Sequence, residues 1–102
     1  DITVIVIHND GGGIFHFLPQ HDPEILDPVT FEAHLATPHG TDFVAVAQAL
    51  GIETHNVDLP EDLSALVAAP AGRPRLIQIH TDRAENLALH RALATEVQRA
   101  IR

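Results

Sequence analysis

The residues most able to do chemistry stand together near the start of the chain, at positions 9 to 13. Asn9 and Asp10 offer amide and carboxylate oxygens, and Gly11, Gly12 and Gly13 let the backbone approach a ligand closely. The Asn9 side chain and a glycine carbonyl two residues later are hard oxygen donors, which suit Mg²⁺ or Ca²⁺ better than zinc. A plain strand-to-helix turn is the alternative, because Asn, Asp and Gly are also favoured there for their backbone angles.

An apolar segment, residues 2–7, leads directly into this group. Its residues are mostly β-branched and do not alternate with polar ones, which predicts an interior strand of a parallel sheet with both faces covered. Ligands of open α/β sheets bind just beyond the carboxyl ends of such strands. The end of the first strand is therefore where a functional site is expected.

Two common glycine motifs do not fit the sequence. A dinucleotide-binding turn requires a third glycine, and Gly13 is followed instead by Ile14, Phe15 and His16. A P-loop requires a lysine, and the chain has none. Both nucleotide-binding motifs are therefore excluded.

The middle of the chain contains both irregular and regular patterns. Residues 19–40 carry four prolines and are expected to form a long irregular loop. A helix is predicted from an N-cap at Thr41, with Asp42 in its first turn, to a C-terminal cap at Gly51. A short strand over 52–57 follows.

Two spacings of acidic residues predict the starts of the remaining helices. Asp58 with Glu61 and Asp82 with Glu85 each resemble a capping box, and a buried strand is predicted between them over 75–80. Two groups of residues are expected in the core: the aromatic pair Phe31 and Phe43, and the apolar face of the last helix, formed by Leu89, Leu93, Val97 and Ala100.

The order strand, loop, helix, strand, helix, strand, helix predicts an α/β fold with a partial, mainly parallel sheet flanked by helices. Three strands make a narrow sheet, so we expect further strands upstream, in a longer parent protein.

Composition limits the possible functions of the chain. Its 102 residues suffice for one domain, and its net charge of −8, with no lysine, argues against nucleic acid as a partner. An acidic chain would hold a phosphate ligand through a metal cation. The absence of cysteine fits a cytoplasmic protein, and no segment reaches a length suited to stable membrane insertion.

Three segments resemble a known family. Asn-Asp-Gly after an apolar strand is similar to the second half of the motif with which thiamine-diphosphate enzymes bind their magnesium diphosphate. The run His-Asn-Asp-Gly-Gly-Gly-Ile-Phe-His-Phe-Leu-Pro-Gln at 8–20 and Thr-Pro-His-Gly-Thr-Asp-Phe at 37–43 resemble the 2-succinyl-5-enolpyruvyl-6-hydroxy-3-cyclohexene-1-carboxylate (SEPHCHC) synthases of menaquinone biosynthesis. A looser match comprises Thr81, Asp82, Arg83, Asn86, Leu89, His90 and Arg91.

The resemblance implies roles for individual residues. Asn9 matches the side-chain ligand and Gly11 the carbonyl ligand of Mg²⁺ (or Mn²⁺). Asp10, Gly12 and Gly13 would complete the binding of the thiamine diphosphate cofactor, with Gly12 and Gly13 letting the backbone pass the diphosphate. Ile14 and Phe15 match apolar residues near the cofactor and substrate, and Leu18 is also expected near the substrate. His8 stands where the family usually has asparagine, and we expect it to bond to the neighbouring loop.

The resemblance also implies that this chain is the C-terminal half, residues 1–102, of a diphosphate-binding domain. The parent enzyme would be a transferase that decarboxylates 2-oxoglutarate and adds the succinyl semialdehyde carbanion equivalent to isochorismate. The catalytic glutamate and the substrate-binding arginines would come from the remaining domains and from a second subunit of a homo-oligomer. No catalytic residue is therefore expected in this chain, and alone it would be inactive.

Other interpretations remain open. Another thiamine-diphosphate decarboxylase or carboligase shares Asn-Asp-Gly, and a non-catalytic α/β ligand-binding or assembly module is possible. The histidines lack the spacing of a helical zinc site. His39 is either functional or a structural loop residue, and Arg83 and Arg91 are expected on a solvated helix surface or in a subunit contact.

Overall fold

A computed structural model describes all 102 residues of the chain. They divide into two compact units, one formed by Asp1–His8 and Gly40–His80 and the other by Asn9–His39 and Thr81–Arg102. The first unit contains the β-sheet, and the second contains the glycine-rich segment.

The sheet of the first unit has three parallel strands, β1 (Thr3–His8), β2 (Glu53–Asn56) and β3 (Arg75–His80), in the order β1-β3-β2. Both β1 and β2 pair with β3, so that Thr3 and Glu53 lie opposite Arg75. The predicted α/β class and parallel pairing are confirmed. The predicted interior position of the first strand is wrong in this chain, because β3 occupies the centre and β1 is an edge strand.

The position of each strand determines its burial. Ile77 at the centre of β3 is 0% exposed, whereas its partner Ile5 in β1 is 43% exposed. Val4 and Ile7 of β1 are also exposed. Both faces of β1 are therefore largely apolar, as predicted, but they are only partly covered.

Two helices belong to the first unit. Helix α2 (Phe43–Ala49) begins at Asp42, whose Oδ1 accepts a hydrogen bond from the Ala45 N–H at 2.9 Å, so the predicted cap at Thr41 is wrong by one residue. Gly51 follows this helix with a φ of 71°, as expected of a C-terminal cap. Helix α3 (Pro60–Ala68) has Leu59 at its N-cap without a side-chain bond, and the capping role predicted for Asp58 is wrong.

The second unit consists of helices and turns. Two 3-10 helices, Gly13–Phe17 and Pro19–His21, are followed by the short helix α1 (Pro28–Phe31), a π-helix (Glu32–Ala36) and the long helix α4 (Arg83–Ala100). Residues 19–40 therefore contain more regular structure than a single irregular loop. α4 begins at the predicted cap, where the Asp82 Oδ1 accepts from the Glu85 N–H at 2.8 Å.

The predicted core is only partly correct. Phe31, Ala36 and Leu87 are buried. The predicted apolar face of α4 is not in the core, because its residues Leu89, Leu93, Val97 and Ala100 are exposed. In the first unit, Phe43 is half-buried and Ala47 is buried.

None of the helices combines the length and the hydropathy that crossing a membrane would require.

Candidate functional site

The five residues 9–13, here called the glycine turn, fold tightly back on themselves. Asp10 and Gly11 both adopt positive φ angles, 54° and 133°. The Asn9 Oδ1 accepts a hydrogen bond from the Gly11 N–H at 3.3 Å, and the Gly13 N–H donates to the Gly11 carbonyl at 3.0 Å. The Asn9 amide lies over Gly13, where an added Cβ would be 2.6 Å from Nδ2. The asparagine side chain is therefore held against the turn.

The loop at residues 35–37 closes over the same turn. The Gly12 N–H donates to the Ala36 carbonyl at 2.6 Å. A Cβ at Gly11 would collide with that carbonyl oxygen, and one at Gly12 would lie 2.5 Å from the Leu35 carbonyl oxygen. Gly11 also has a φ that disfavours any side chain. Contacts within the chain thus account for these glycines, and their role beside a diphosphate stays a prediction.

The second predicted motif contributes to the closure of the turn. The Asp10 Oδ1 accepts from the His39 backbone N–H at 3.2 Å, and the His39 Nδ1 lies 3.7 Å from the same oxygen. Thr37 ends the π-helix in the left-handed region, with a φ of 45°. This conformation is unusual for a β-branched residue. His39 thus has a structural role in the loop, and a catalytic role for it stays a prediction.

Two oxygens of the turn are of the type that a hard cation prefers. The Asn9 Oδ1 and the Gly11 carbonyl oxygen each accept one hydrogen bond, and each has a second lone pair. Magnesium typically takes a few protein oxygens and completes its shell with water and ligand phosphates. No group of three or more His, Asp or Glu side chains in the chain could hold a metal ion. The turn therefore offers two oxygens of the type that Mg²⁺ prefers, and a magnesium site here stays a prediction.

The three apolar residues predicted near cofactor and substrate follow the turn. Ile14 and Phe15 belong to the 3-10 helix Gly13–Phe17 and lie on the surface together with Leu18. Leu18 also lines a cavity of about 630 Å³, whose other residues include Phe17, His21, Ile25 and Arg91. The turn is thus followed by an exposed apolar surface that could contact a ligand.

A histidine next to this surface was not singled out by sequence reasoning. His16 is buried, with its ring 4.7 Å from that of His21 and 5.1 Å from that of Phe31. Burial lowers the pKa of the His16 imidazole, and the nearby His21 and Arg83 charges lower it further. Its Nδ1 has no hydrogen-bond partner. The alternation Phe-His-Phe at 15–17 was the available signal, but it does not show which ring turns inward.

Arg83 departs most clearly from the predicted arrangement. Its side chain is only 16% exposed, and its Nη2 donates to the Glu32 Oε1 at 2.6 Å. A Cβ at Gly13 would lie 3.4 Å from the Arg83 Cγ, so the arginine stem lies beside the glycine turn. The predicted position on a solvated helix surface is wrong for Arg83, whereas Arg91 is exposed. Helical periodicity could not reveal this, because Glu32 is 51 residues away in sequence.

The histidine that ends β1 belongs to the first unit. The His8 Nε2 lies 3.1 Å from the Thr41 carbonyl oxygen and can donate to it, consistent with the loop bond that we predicted. The His8 ring also contacts the Phe43 ring edge-on at 5.0 Å. His8 thus has a structural explanation in this chain.

Comparison with known proteins identifies relatives of the chain. It is 39% identical over 102 residues to the SEPHCHC synthase of Salinibacter ruber, covering 98% of this chain and 16% of that protein. The synthases of Rubrobacter xylanophilus and Nocardia farcinica are 44% and 36% identical over 93 and 97 residues, covering 89% and 95% of this chain.

The match is limited to a small part of each relative, because the chain spans about one sixth of the length of these curated proteins. No protein-family model matches the chain. The similarity nevertheless extends over nearly all of its residues and includes the glycine turn. The chain therefore belongs to the SEPHCHC synthase family, of which it matches one segment.

Proposed function

We propose that this chain is the C-terminal half of the diphosphate-binding domain of a thiamine-diphosphate-dependent SEPHCHC synthase. The observation that carries the proposal is the glycine turn, in which the Asn9 side chain is fixed over the backbone that bears the Gly11 carbonyl. The resemblance of residues 8–20 to the family motif and the identity to curated synthases support it.

In this proposal the chain supplies part of a binding site. Asn9 and Gly11 would hold Mg²⁺ (or Mn²⁺), while Asp10 fixes the loop by accepting from the His39 N–H. Ile14, Phe15 and Leu18 would exclude water from the reacting atoms. When bound, thiamine diphosphate would supply the chemistry for decarboxylating 2-oxoglutarate and joining the remaining four carbons to isochorismate.

Other parts of the parent enzyme would complete the site. The chain presents only two candidate protein ligands for the metal, and we assign no catalytic residue to it. The uncovered apolar faces of β1 and α4 are what a segment that packs against further domains or a second subunit would present. A homo-oligomeric parent in the cytoplasm belongs to the same proposal.

The experiment that tests this assignment is truncation of Asn9 in the full-length synthase that contains this segment. Asn9→Ala should weaken Mg²⁺-dependent binding of thiamine diphosphate, measured by titration calorimetry, by about tenfold or more, since one ligand of the metal is lost. Gln98→Ala removes an exposed amide from α4 and serves as the matched control. If the Asn9 variant kept the wild-type cofactor affinity and metal requirement, the site assignment would be wrong.

The isolated chain distinguishes a partial site from a complete module. We expect the purified chain to bind the cofactor with Mg²⁺ weakly or not at all, and not to convert 2-oxoglutarate and isochorismate. Tight metal-dependent binding in the calorimeter would instead indicate a self-sufficient ligand-binding module. Turnover by the chain, in a preparation free of full-length enzyme, would contradict its proposed inactivity.

A further inference from the structure

Arg83 is the first residue of α4 and lies largely inside the second unit. Its guanidinium forms a 2.6 Å ion pair with Glu32, whose side chain is 46% exposed, against 16% for the arginine. The Nη1 of Arg83 is buried and has no partner. A charge that is so largely desolvated has to be compensated by its neighbours. The position of Arg83 therefore depends on a specific contact rather than on solvent.

The partner of Arg83 begins the segment that closes the glycine turn. Glu32 is the first residue of the π-helix, and Ala36, the last, accepts the Gly12 N–H through its carbonyl at 2.6 Å. The Thr37 N–H donates back to the Glu32 carbonyl at 2.9 Å, which fixes the end of this helix to its beginning. The Arg83–Glu32 pair therefore holds the element that bonds to the turn.

Arg83 also touches the turn directly. Its Cγ lies beside Gly13, 3.4 Å from where a Cβ would stand. The Asn9 Nδ2 lies 2.6 Å from the same position. Arg83 therefore limits the space in which Gly13, and with it the Asn9 amide, can move.

From these contacts we propose that Arg83 is a positioning residue for the glycine turn. Its stem contacts Gly13 of the turn, and its guanidinium holds Glu32 of the π-helix that bonds to Gly12, so that the Asn9 and Gly11 oxygens stay in one arrangement. The proposal assigns Arg83 no contact with the ligand itself. The inference rests on the proposed function, because the arrangement matters if those oxygens hold the metal of the diphosphate.

The first test is cofactor affinity in the full-length synthase that contains this segment. Arg83→Gln should raise the dissociation constant of thiamine diphosphate, measured by calorimetry at saturating Mg²⁺, by about 10- to 100-fold, the range typical of residues that orient metal ligands. Arg83→Lys keeps a charge but loses the guanidinium fork, so its effect should be intermediate. Arg99→Gln removes an exposed ion pair from the same helix and should leave the affinity unchanged.

Amide hydrogen exchange separates positioning from a general loss of stability. In Arg83→Gln the peptides that cover residues 9–17 and 32–37 should exchange faster than in the wild type, while those that cover α2 and β3 should not change. Faster exchange throughout would indicate a merely structural role and overturn the proposal. Wild-type cofactor affinity in Arg83→Gln would overturn it as well.

Two further variants keep the outcome decisive. If Arg83→Gln does not fold, Arg83→Lys and Glu32→Gln are measured in the same way, and wild-type affinity in both would refute the positioning role.

Asn9→Ala distinguishes this inference from the proposed function. If Asn9→Ala weakens cofactor binding and the Arg83 variants do not, only the role of Arg83 fails; if Asn9→Ala also has no effect, the site assignment fails.

Discussion

Strands β1 and β3 are six residues long, run parallel and pair residue by residue, and both are rich in isoleucine. Their surroundings differ. β3 has a strand on each side, and Ile77 is completely buried, whereas β1 is at the edge, and its partner residue Ile5 remains 43% exposed. An isoleucine in a β-strand therefore contributes a different amount to the free energy of unfolding in β3 and in β1. The neighbouring elements determine the contribution, not the strand itself.

The largest effect should come from the two paired isoleucines. Ile77→Ala should lower the free energy of unfolding by about 3 kcal/mol, because it leaves a cavity at the centre of the sheet. Ile5→Ala should cost about 1 kcal/mol or less, since its site is already open to solvent. Urea unfolding of both variants measures the difference. Equal losses would show that β1 is buried as deeply as β3.

A second pair compares two glycines. Gly11→Ala should cost about 2 kcal/mol or more, because Gly11 has a positive φ and touches the Ala36 carbonyl oxygen. Gly72→Ala should stay within about 0.5 kcal/mol, since a Cβ there meets nothing within 4 Å. Thermal unfolding of the two variants, side by side, tests this. A tolerated alanine at position 11 would contradict the closed form of the turn.

A third pair compares two aspartates that precede helices. Asp82→Ala should cost about 1 kcal/mol, because its carboxylate accepts the Glu85 N–H at the start of α4. Asp58→Ala should cost less than about 0.5 kcal/mol, since α3 begins without a side-chain cap. Urea unfolding gives both free-energy changes from the shift of the midpoint, provided that the m-value is unchanged. A large loss of stability in Asp58→Ala would show that Asp58 caps α3 after all, as the sequence predicts.

The smallest expected effect is the pH dependence of stability that arises from a buried histidine, His16, for which an exposed histidine, His90, serves as the control. The pKa of His16 is lowered in the folded state from its ordinary value of 6.5, chiefly by burial. As the pH falls below about 6.5, His16 is therefore protonated more readily in the unfolded chain than in the folded one. Stability should therefore fall as the pH decreases through this region. Unfolding measured from pH 8 to pH 5 should show a shallower decline for His16→Phe than for the wild type, with His90→Phe as the exposed control. Identical slopes for all three proteins would exclude His16 as the source.

These pairs also show which features the sequence can predict. The predicted limits of β3 and the predicted Asp82 cap were correct because both depend on nearby residues. β3 is a short segment that contains the apolar residues Leu76, Ile77 and Ile79, and the Asp82 carboxylate lies three residues before the backbone N–H from which it accepts. The Asp58 cap failed although its spacing was equally good, because Pro60 begins α3 after Leu59 instead.

Features that depend on distant residues were mostly missed. The edge position of β1 follows from which strands are its neighbours, and its apolar sequence does not contain that information. Arg83 was predicted on a solvated helix surface or in a subunit contact, and its ion pair with Glu32 was not foreseen because Glu32 lies in a segment that was expected to be irregular. A turn was predicted directly after β1 and is found there, but its closure by Leu35, Ala36 and Thr37 was not foreseen, and its role as a cofactor site stays a prediction.

The uncovered β1 strand has a consequence for how copies of the chain behave in solution. Residues 2–7 combine high β-propensity with no charge and no proline, which is the composition of segments that template cross-β aggregates. No strand pairs with the outer edge of β1, so its backbone groups there can recruit a second copy. The net charge of −8 then serves as a colloidal barrier, because like-charged copies repel each other. Salt shortens the range of that repulsion to about 10 Å at 0.1 M. Ionic strength therefore controls how readily the unpaired β1 edges of two copies come into contact.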